Sequence, residues 1–389
     1  MLKIPFYFQD CIRIDNDIWF ASGDYNGLYR YNLEEKSTER IVVFPHESFC
    51  QGGLFLKICK YKNNLILVPQ YAKRIYIFNI DSGFLKDLAI PALEEGLQGP
   101  YFCDAIVCKE YIYMMGTRYP GILKVNLEND EVEILGQWLE EYRIKTKISN
   151  NGYFLGMKGV LDYNNYWIPC YQCNKVLKMN MQTGNYCFYE VGRKENKYAR
   201  IIKIDNLFVL VTHNSENFCR IAFWDASTDR CDELQIAMQA YVDREIVACG
   251  DNIWVLSFVS NEIYRVGVKD RVIKSYSVSG ISEMQIVFAR VIQNELFFCD
   301  YTQTWHKINN LGMIEKVESG IKECTDEKEL EEIILKEELT DRRLGENYCH
   351  SLEYLMKKIY RGITLRNNYK NVTNVGKTIH ESCIGGNRG

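Results

Sequence analysis

The chain lacks any apolar run long enough to cross a bilayer: its longest runs are strand-sized and broken by Asn, Asp, Lys or Gly, against the ~20 residues a spanning helix requires. Membrane insertion is therefore not expected. Residues 1–8 carry one Lys and no secretory apolar core, and Pro5 interrupts them, so no signal peptide is expected. A long basic run is also missing, and 47 Lys+Arg against 51 Asp+Glu leave a net charge of −4. This excludes the electrostatic footprint of a duplex nucleic-acid binder. No Gly-x-Ser-x-Gly elbow, phosphate-binding loop or dinucleotide fingerprint occurs, which removes the minimum parts of those hydrolase and nucleotide sites. The five histidines (His46, His213, His306, His350, His380) share no local spacing, and no cofactor is expected.

What is present is a large apolar and aromatic content, 47% and 13% of 389 residues, enough for an extensive core and incompatible with general disorder. Fifteen cysteines are scattered singly through apolar runs, as at Cys59, Cys103, Cys108, Cys249 and Cys299. An odd count cannot pair fully, and so long a chain needs no disulfide framework. They read as reduced thiols, many of them core fillers, in a cytoplasmic protein.

A repeat organises most of the chain. Blocks of three bulky apolar residues, usually just after Asn, Asp or Glu, start at Ile18, Leu65, Tyr111, Tyr166, Leu207, Ile253 and Leu296. The intervals are 47, 46, 55, 41, 46 and 43 residues, the period of propeller blades. About ten residues after each block comes an alternating strand such as Arg74 to Asn79 or Lys175 to Asn180, then a turn such as Asp81-Ser82-Gly83, then a further strand. Another strand precedes each block, for instance Ala105 to Lys109 or Ile286 to Ile292. Four short antiparallel strands per repeat make a blade, and seven repeats make a closed ring. The expected fold is thus all-β, a seven-bladed β-propeller over residues 1–320. The middle column of the blocks (Trp19, Ile66, Ile112, Trp167, Phe208, Trp254, Phe297) is uniformly large, as strands covered on both faces require. Each such residue contributes roughly 1.5–3 kcal/mol when buried.

Three stretches, Ile221 to Thr228 with its Trp224-Asp225 pair, Ile75 to Gly83 and Val176 to Gly184, resemble strands and turns of the WD40, YVTN and Kelch-like repeat proteins. The resemblance covers about residues 7–319 and implies the propeller architecture without specifying a function.

After Gly320 the composition turns to Glu and Lys. The pattern Tyr348, Leu352, Leu355, Met356, Ile359 is that of an amphipathic helix, and Leu330, Ile333 and Ile334 mark another. A helical hairpin over 321–362 and a partly flexible tail over 363–389 are expected. Residues 321–346 hold 5 Lys+Arg and 10 Asp+Glu, while 347–389 hold 7 and 2, so the two halves attract. A partner-binding arm is the alternative reading of this segment.

Propellers usually bind ligands at the axial mouth, where the first strands of the blades begin. The candidates there are Asp104, Arg200, Arg244 and Glu245, with Gln51 and Gln285 as neutral neighbours. Two arginines near a carboxylate can hold an anionic or sugar-like ligand, and mutually compensating charges lining a solvated channel are the simpler alternative. Trp138 and Tyr142, in the long interval Gln137 to Gly152, are candidate partner contacts. Cys170 and Cys173 form the lone Cys-x-x-Cys, with Cys187 the nearest third thiol. A structural zinc needs four ligands, so half-buried thiols are the expected state and no metal is expected.

The reading as a whole is a non-enzymatic binding or scaffolding module. Its partner would be a protein or a small polar or anionic ligand, held at the axial face with help from the C-terminal helices. The alternatives are a channel-centred enzyme of the virginiamycin B lyase type, which would use a His at the channel, and a carbohydrate-recognition module. No His falls at the start of a first strand, which weighs against the lyase.

Overall fold

The computed structural model describes residues 8–317 except 24–25, 36, 48–52, 92–100, 147–152, 214–217, 238–243, 258–261, 279–285, 293–294, 301–304 and 310–311. The expected helices of 321–362, the tail after them, and Gln51 and Gln285 lie outside the described residues. The chain divides into two compact units, residues 1–335 and 336–389. The first is the propeller.

Its strands run in seven consecutive sets of four. Blade 1 is β1 (Cys11–Ile14), β2 (Asp17–Ala21), β3 (Leu28–Asn32) and β4 (Ser37–Val42). Blade 2 is β5 (Phe55–Tyr61), β6 (Asn64–Pro69), β7 (Arg74–Asn79) and β8 (Leu85–Ala89). Blade 3 is β9 (Phe102–Cys108), β10 (Tyr111–Gly116), β11 (Ile122–Asn126) and β12 (Val132–Leu135), followed by helix α1 (Leu139–Thr146). Blade 4 is β13 (Val160–Asp162), β14 (Asn165–Pro169), β15 (Lys175–Asn180) and β16 (Tyr186–Glu190). Blade 5 is β17 (Tyr198–Ile204), β18 (Leu207–Thr212), β19 (Phe218–Asp225) and β20 (Arg230–Ala237). Blade 6 is β21 (Arg244–Cys249), β22 (Asn252–Ser257), β23 (Glu262–Gly267) and β24 (Ile273–Ser277). Blade 7 is β25 (Ile286–Ile292), β26 (Glu295–Asp300), β27 (Trp305–Ile308) and β28 (Ile314–Val317). Every sheet keeps sequence order and antiparallel pairing. All seven apolar blocks fall in second strands.

Local chemistry explains the regularity. In blades 1 to 6 the first hairpin turns on two residues, and the leading one has positive φ: Asp15 (51°), Lys62 (51°), Lys109 (54°), Tyr163 (53°), Asp205 (52°) and Gly250 (56°). Left-handed turns of this length match the twist of the flanking strands. In blades 1 to 5 the third strand ends on Asn or Asp, whose side chain closes the next turn. Asn32 Oδ1 accepts from the Glu34 and Glu35 amides (3.0 and 2.9 Å), Asn180 Oδ1 from Gln182 and Thr183 (3.0 Å each), and Asp225 Oδ1 from Ser227 (2.9 Å). Three third-strand asparagines also donate back to the residue that opens the second strand, Asn32 to Asp17 and Asn79 to Asn64 at 2.8 Å and Asn180 to Asn165 at 3.5 Å. This is why a polar residue precedes the apolar blocks.

Between neighbouring blades lies an apolar seam. Seven buried clusters are found, each drawing on two adjacent blades. Trp167, Phe208 and Trp224 fill one of them, with ring centroids 4.5–5.7 Å apart. Six of the seven mid-block residues are buried; Phe297 is half-buried. The ring closes where Phe8 and Phe20 of blade 1 meet Trp305 of blade 7. Blade 7 takes all four of its strands from residues 286–317, so among the described residues closure comes from face packing rather than from a strand exchanged with the N-terminus.

Candidate axial binding site

The first strands line the axis, and the candidate site is built on a single position in or just before them. Four residues before the last residue of the first strand stand Asp10, Lys57, Asp104, Lys158, Arg200 and Glu245, in blades 1 to 6. In blade 7 that position is Phe288, and the charge, Arg290, stands two residues later, on the same face of the pleated strand. In blades 2, 3 and 5 a register irregularity beside the position (Phe55/Lys57, Met115/Gly116, Tyr198/Arg200) re-aims the side chain, as bulges near sites do.

These seven side chains form a nearly continuous circuit. Arg290 pairs with Asp10, whose other oxygen accepts from the Ile58 amide at 3.2 Å. Lys57 pairs with Asp104. Asp104 Oδ2 also accepts from the Gly159 amide (3.0 Å) and the Tyr166 hydroxyl (3.1 Å). Lys158 reaches past blade 5 to Glu245 (3.0 Å) and donates to the Ile246 carbonyl (3.2 Å). Arg200 holds the second Glu245 oxygen at 2.9 Å. A contact that skips a blade requires the side chains to converge on the axis.

Burial and charge set the proton affinities. Burial alone would raise Glu245, but Arg200 and Lys158 outweigh it and hold the carboxyl at about 2. Desolvation would lower Lys57, yet Asp104 beside it leaves its affinity raised. At Asp10 desolvation wins over Arg290 and the carboxyl is raised. Four cations face three carboxylates, so at neutral pH with every group ionised the circuit carries one surplus positive charge. Arg200, 9% exposed, keeps its Nε–H buried without a hydrogen-bond partner among the described residues.

The loops after second strands open on the same face, because the second strand returns antiparallel to where the first began. Here Arg118 lies over the Tyr153 ring (4.9 Å), Tyr153 meets Tyr171 (5.1 Å), and Tyr171 stacks on His213 (3.7 Å), whose ring is also hydrogen-bonded to the Tyr171 carbonyl. A backbone chain ties these loops together: the Thr117 amide donates to Tyr101, Phe154 to Thr117, and Tyr171 to Phe154 (2.7–3.1 Å). A half-exposed arc of aromatic rings and cations thus borders the charged axis.

The structure brings together Asp104, Arg200 and Glu245 from the sequence candidates. Arg244 opens β21, and its side chain lies outside the described residues. Sequence reasoning missed Asp10, Lys57, Lys158 and Arg290. The usable signal was the constant phase: in blades 1 to 6 the charge stands 7 or 8 residues before the apolar block. Trp138 and Tyr142 are not surface contacts. Both are wholly buried, Trp138 Nε1 donating to the Leu135 carbonyl (3.0 Å) and the Tyr142 hydroxyl to Phe154 (2.9 Å). Residues read as an insertion form α1, which plugs the seam between blades 3 and 4. Cys170 and Cys173 share the β14–β15 hairpin, while Cys187 sits out on β16 opposite Lys178. No group of three metal-ligating side chains occurs among the described residues, and no described histidine belongs to the circuit.

No protein-family description and no curated protein matches the chain. Solved structures do. A protein of the mitotic checkpoint complex superposes with a TM-score of 0.54 at 10% identity, covering 78% of this chain and 88% of its own. A catalytically inactive virginiamycin B lyase from Staphylococcus aureus, solved with quinupristin, gives 0.52 at 15% identity over 67% and 82%. BamB from Moraxella catarrhalis gives 0.52 at 11% over 74% and 80%. At these identities the likeness concerns fold alone: the chain is a seven-bladed β-propeller.

Proposed function

We propose that the chain is a non-enzymatic binding module that uses its axial face to hold a protein partner or small ligand through an anionic group, a carboxylate or a phosphate. The observation that carries this reading is Arg200: one arm is committed to Glu245, and a second donor is buried with no acceptor among the described residues, in a circuit with one surplus cation. An unmet buried donor costs roughly 1–3 kcal/mol, which an incoming anion would recover by a charge-assisted hydrogen bond. The neighbour solved in the mitotic checkpoint complex lends the fold a precedent, and a cytoplasmic location is included in this reading.

Calorimetric titration of the full chain with phosphate, citrate and a short acidic peptide tests it. Saturable binding that weakens with salt and is lost in Arg200→Gln is expected. Absence of binding to all three at millimolar concentration, or binding unchanged in Arg200→Gln, overturns it.

A further inference from the structure

The Cys-x-x-Cys of blade 4 is not used by the axial circuit, and its setting differs from that of the other thiols. Cys170 through Asn174 form the hairpin between β14 and β15, closed by the Cys170 amide donating to the Lys175 carbonyl at 2.8 Å. Residues three apart in such a turn have α-carbons within about 7 Å, inside the span that a disulfide bridges. The two thiols lie close enough for each to shift the other's proton affinity. Cys170 is wholly buried and Cys173 half-buried, so Cys173 is the more accessible of the two. Cys170 lowers the Cys173 thiol, and the Lys175 amide and charge assist against burial. Burial holds Cys170 far above the ordinary thiol range. Cys11 and Cys59, near the axial charges, behave differently: burial pushes both up to about 12. A thiolate favoured by neighbouring donors is the reactive form of cysteine.

We infer that Cys170 and Cys173 are a redox-active dithiol, with Cys173 the attacking thiol and Cys170 the resolving one, and that closing it shifts the Tyr171 ring carried between them. With a low-molecular-weight disulfide as oxidant, the Cys173 thiolate attacks one sulfur of the reagent and expels its first thiolate. Cys170 then gives up its proton and attacks Cys173 Sγ, expelling the second thiolate. The protein loses two protons and two electrons, and the reagent becomes two thiols. Tyr171 stacks on His213 and against Tyr153, so rearrangement of the hairpin reaches the aromatic arc at the axial face. This inference does not depend on the ligand proposed above.

The test equilibrates the full chain in reduced and oxidised glutathione, followed by acid quench, alkylation and peptide mass analysis. In oxidising buffer the peptide spanning 170–173 is expected 2 Da lighter (two hydrogens lost) and unalkylated. In Cys170→Ser a persistent glutathione adduct on Cys173 is expected, because nothing resolves it, and in Cys173→Ser Cys170 stays unreacted in the folded protein. The His213 ring protons, shielded by Tyr171, are expected to shift on oxidation of the wild type. Cys173 reacting no faster than the exposed Cys187, or a wild-type adduct that never closes, overturns the dithiol; a His213 spectrum unchanged by closure overturns the coupling to the arc. Cys170→Ser also guards against misfolding as an explanation, since a folded variant that accumulates the adduct separates reactivity from stability.

Discussion

The seams between blades and the circuit around the axis are built from the same repeat, yet they obey different rules. In the seams the repeated position tolerates exchange: Trp19, Ile66, Ile112, Trp167, Phe208 and Trp254 alternate freely and all are buried. Only size and apolarity count there. At the axial position the residue is charged in six blades, but its sign follows no period: acid, base, acid, base, base, acid. Packing needs are met wherever the column is large, whereas an ion-pair circuit is met only by particular partners in particular blades. The seams therefore enforce the architecture, and the circuit is where this chain departs from a generic propeller.

The largest effect expected belongs to the seams. Trp224→Ala removes a fully buried ring between blades 4 and 5, together with the Nε1–H donated to Asp229 at 3.1 Å. A loss of about 3–5 kcal/mol by denaturant unfolding is expected; a loss below about 1 kcal/mol would show that the seams are not the source of cohesion. The circuit should instead reveal itself through pH. The Glu245 carboxyl lies lower in the fold, at about 2, than its ordinary 4.5, so its contribution is fully present above about pH 4.5 and disappears as pH falls through about 2. The shift corresponds to about 3 kcal/mol. Glu245→Gln should flatten that part of the stability profile, and an unchanged profile would detach Glu245 from Arg200 and Lys158. Asn180→Ala deletes the two amide bonds that close a blade-4 turn and is expected to cost about 1 kcal/mol, with the ring intact. The smallest effect has the opposite sign. Tyr163 is 89% exposed and holds φ 53° in a first-hairpin turn, a conformation that asparagine adopts more readily. Tyr163→Asn should raise stability by up to about 1 kcal/mol, measured as the unfolding midpoint.

The contrast between the two regions also explains what the sequence revealed. The blocks were legible because interblade burial imposes a local, phased demand for bulk: all seven landed in second strands, whereas third strands such as β7 and β19 are buried over four consecutive residues instead of alternating. The turns were legible from Asn, Asp and Gly, since their chemistry is local. The circuit was only half legible. Asp104, Arg200 and Glu245 were found from their place at the start of first strands, but Lys57 and Lys158 were not, because an ion pair between residues 47 or 87 apart leaves no mark in either neighbourhood. Trp138 and Tyr142 misled for a related reason. An aromatic pair flanked by charges reads as exposed, and only the fold shows that α1 turns both rings into the seam. Tyr171 and His213, 42 residues apart, stack only because blades 4 and 5 are neighbours.

The most direct test is to replace Lys158, Arg200 and Glu245 together by Met and to measure both unfolding and anion binding. Buried ion clusters exchanged for apolar residues of similar volume are commonly neutral or stabilising. The expected result is therefore a variant within about 1 kcal/mol of the wild type, or above it, that no longer binds phosphate or citrate. A variant that unfolds as readily as Trp224→Ala, or one that is stable and binds both anions as the wild type does, would contradict the assignment of cohesion to the seams and of binding to the axis.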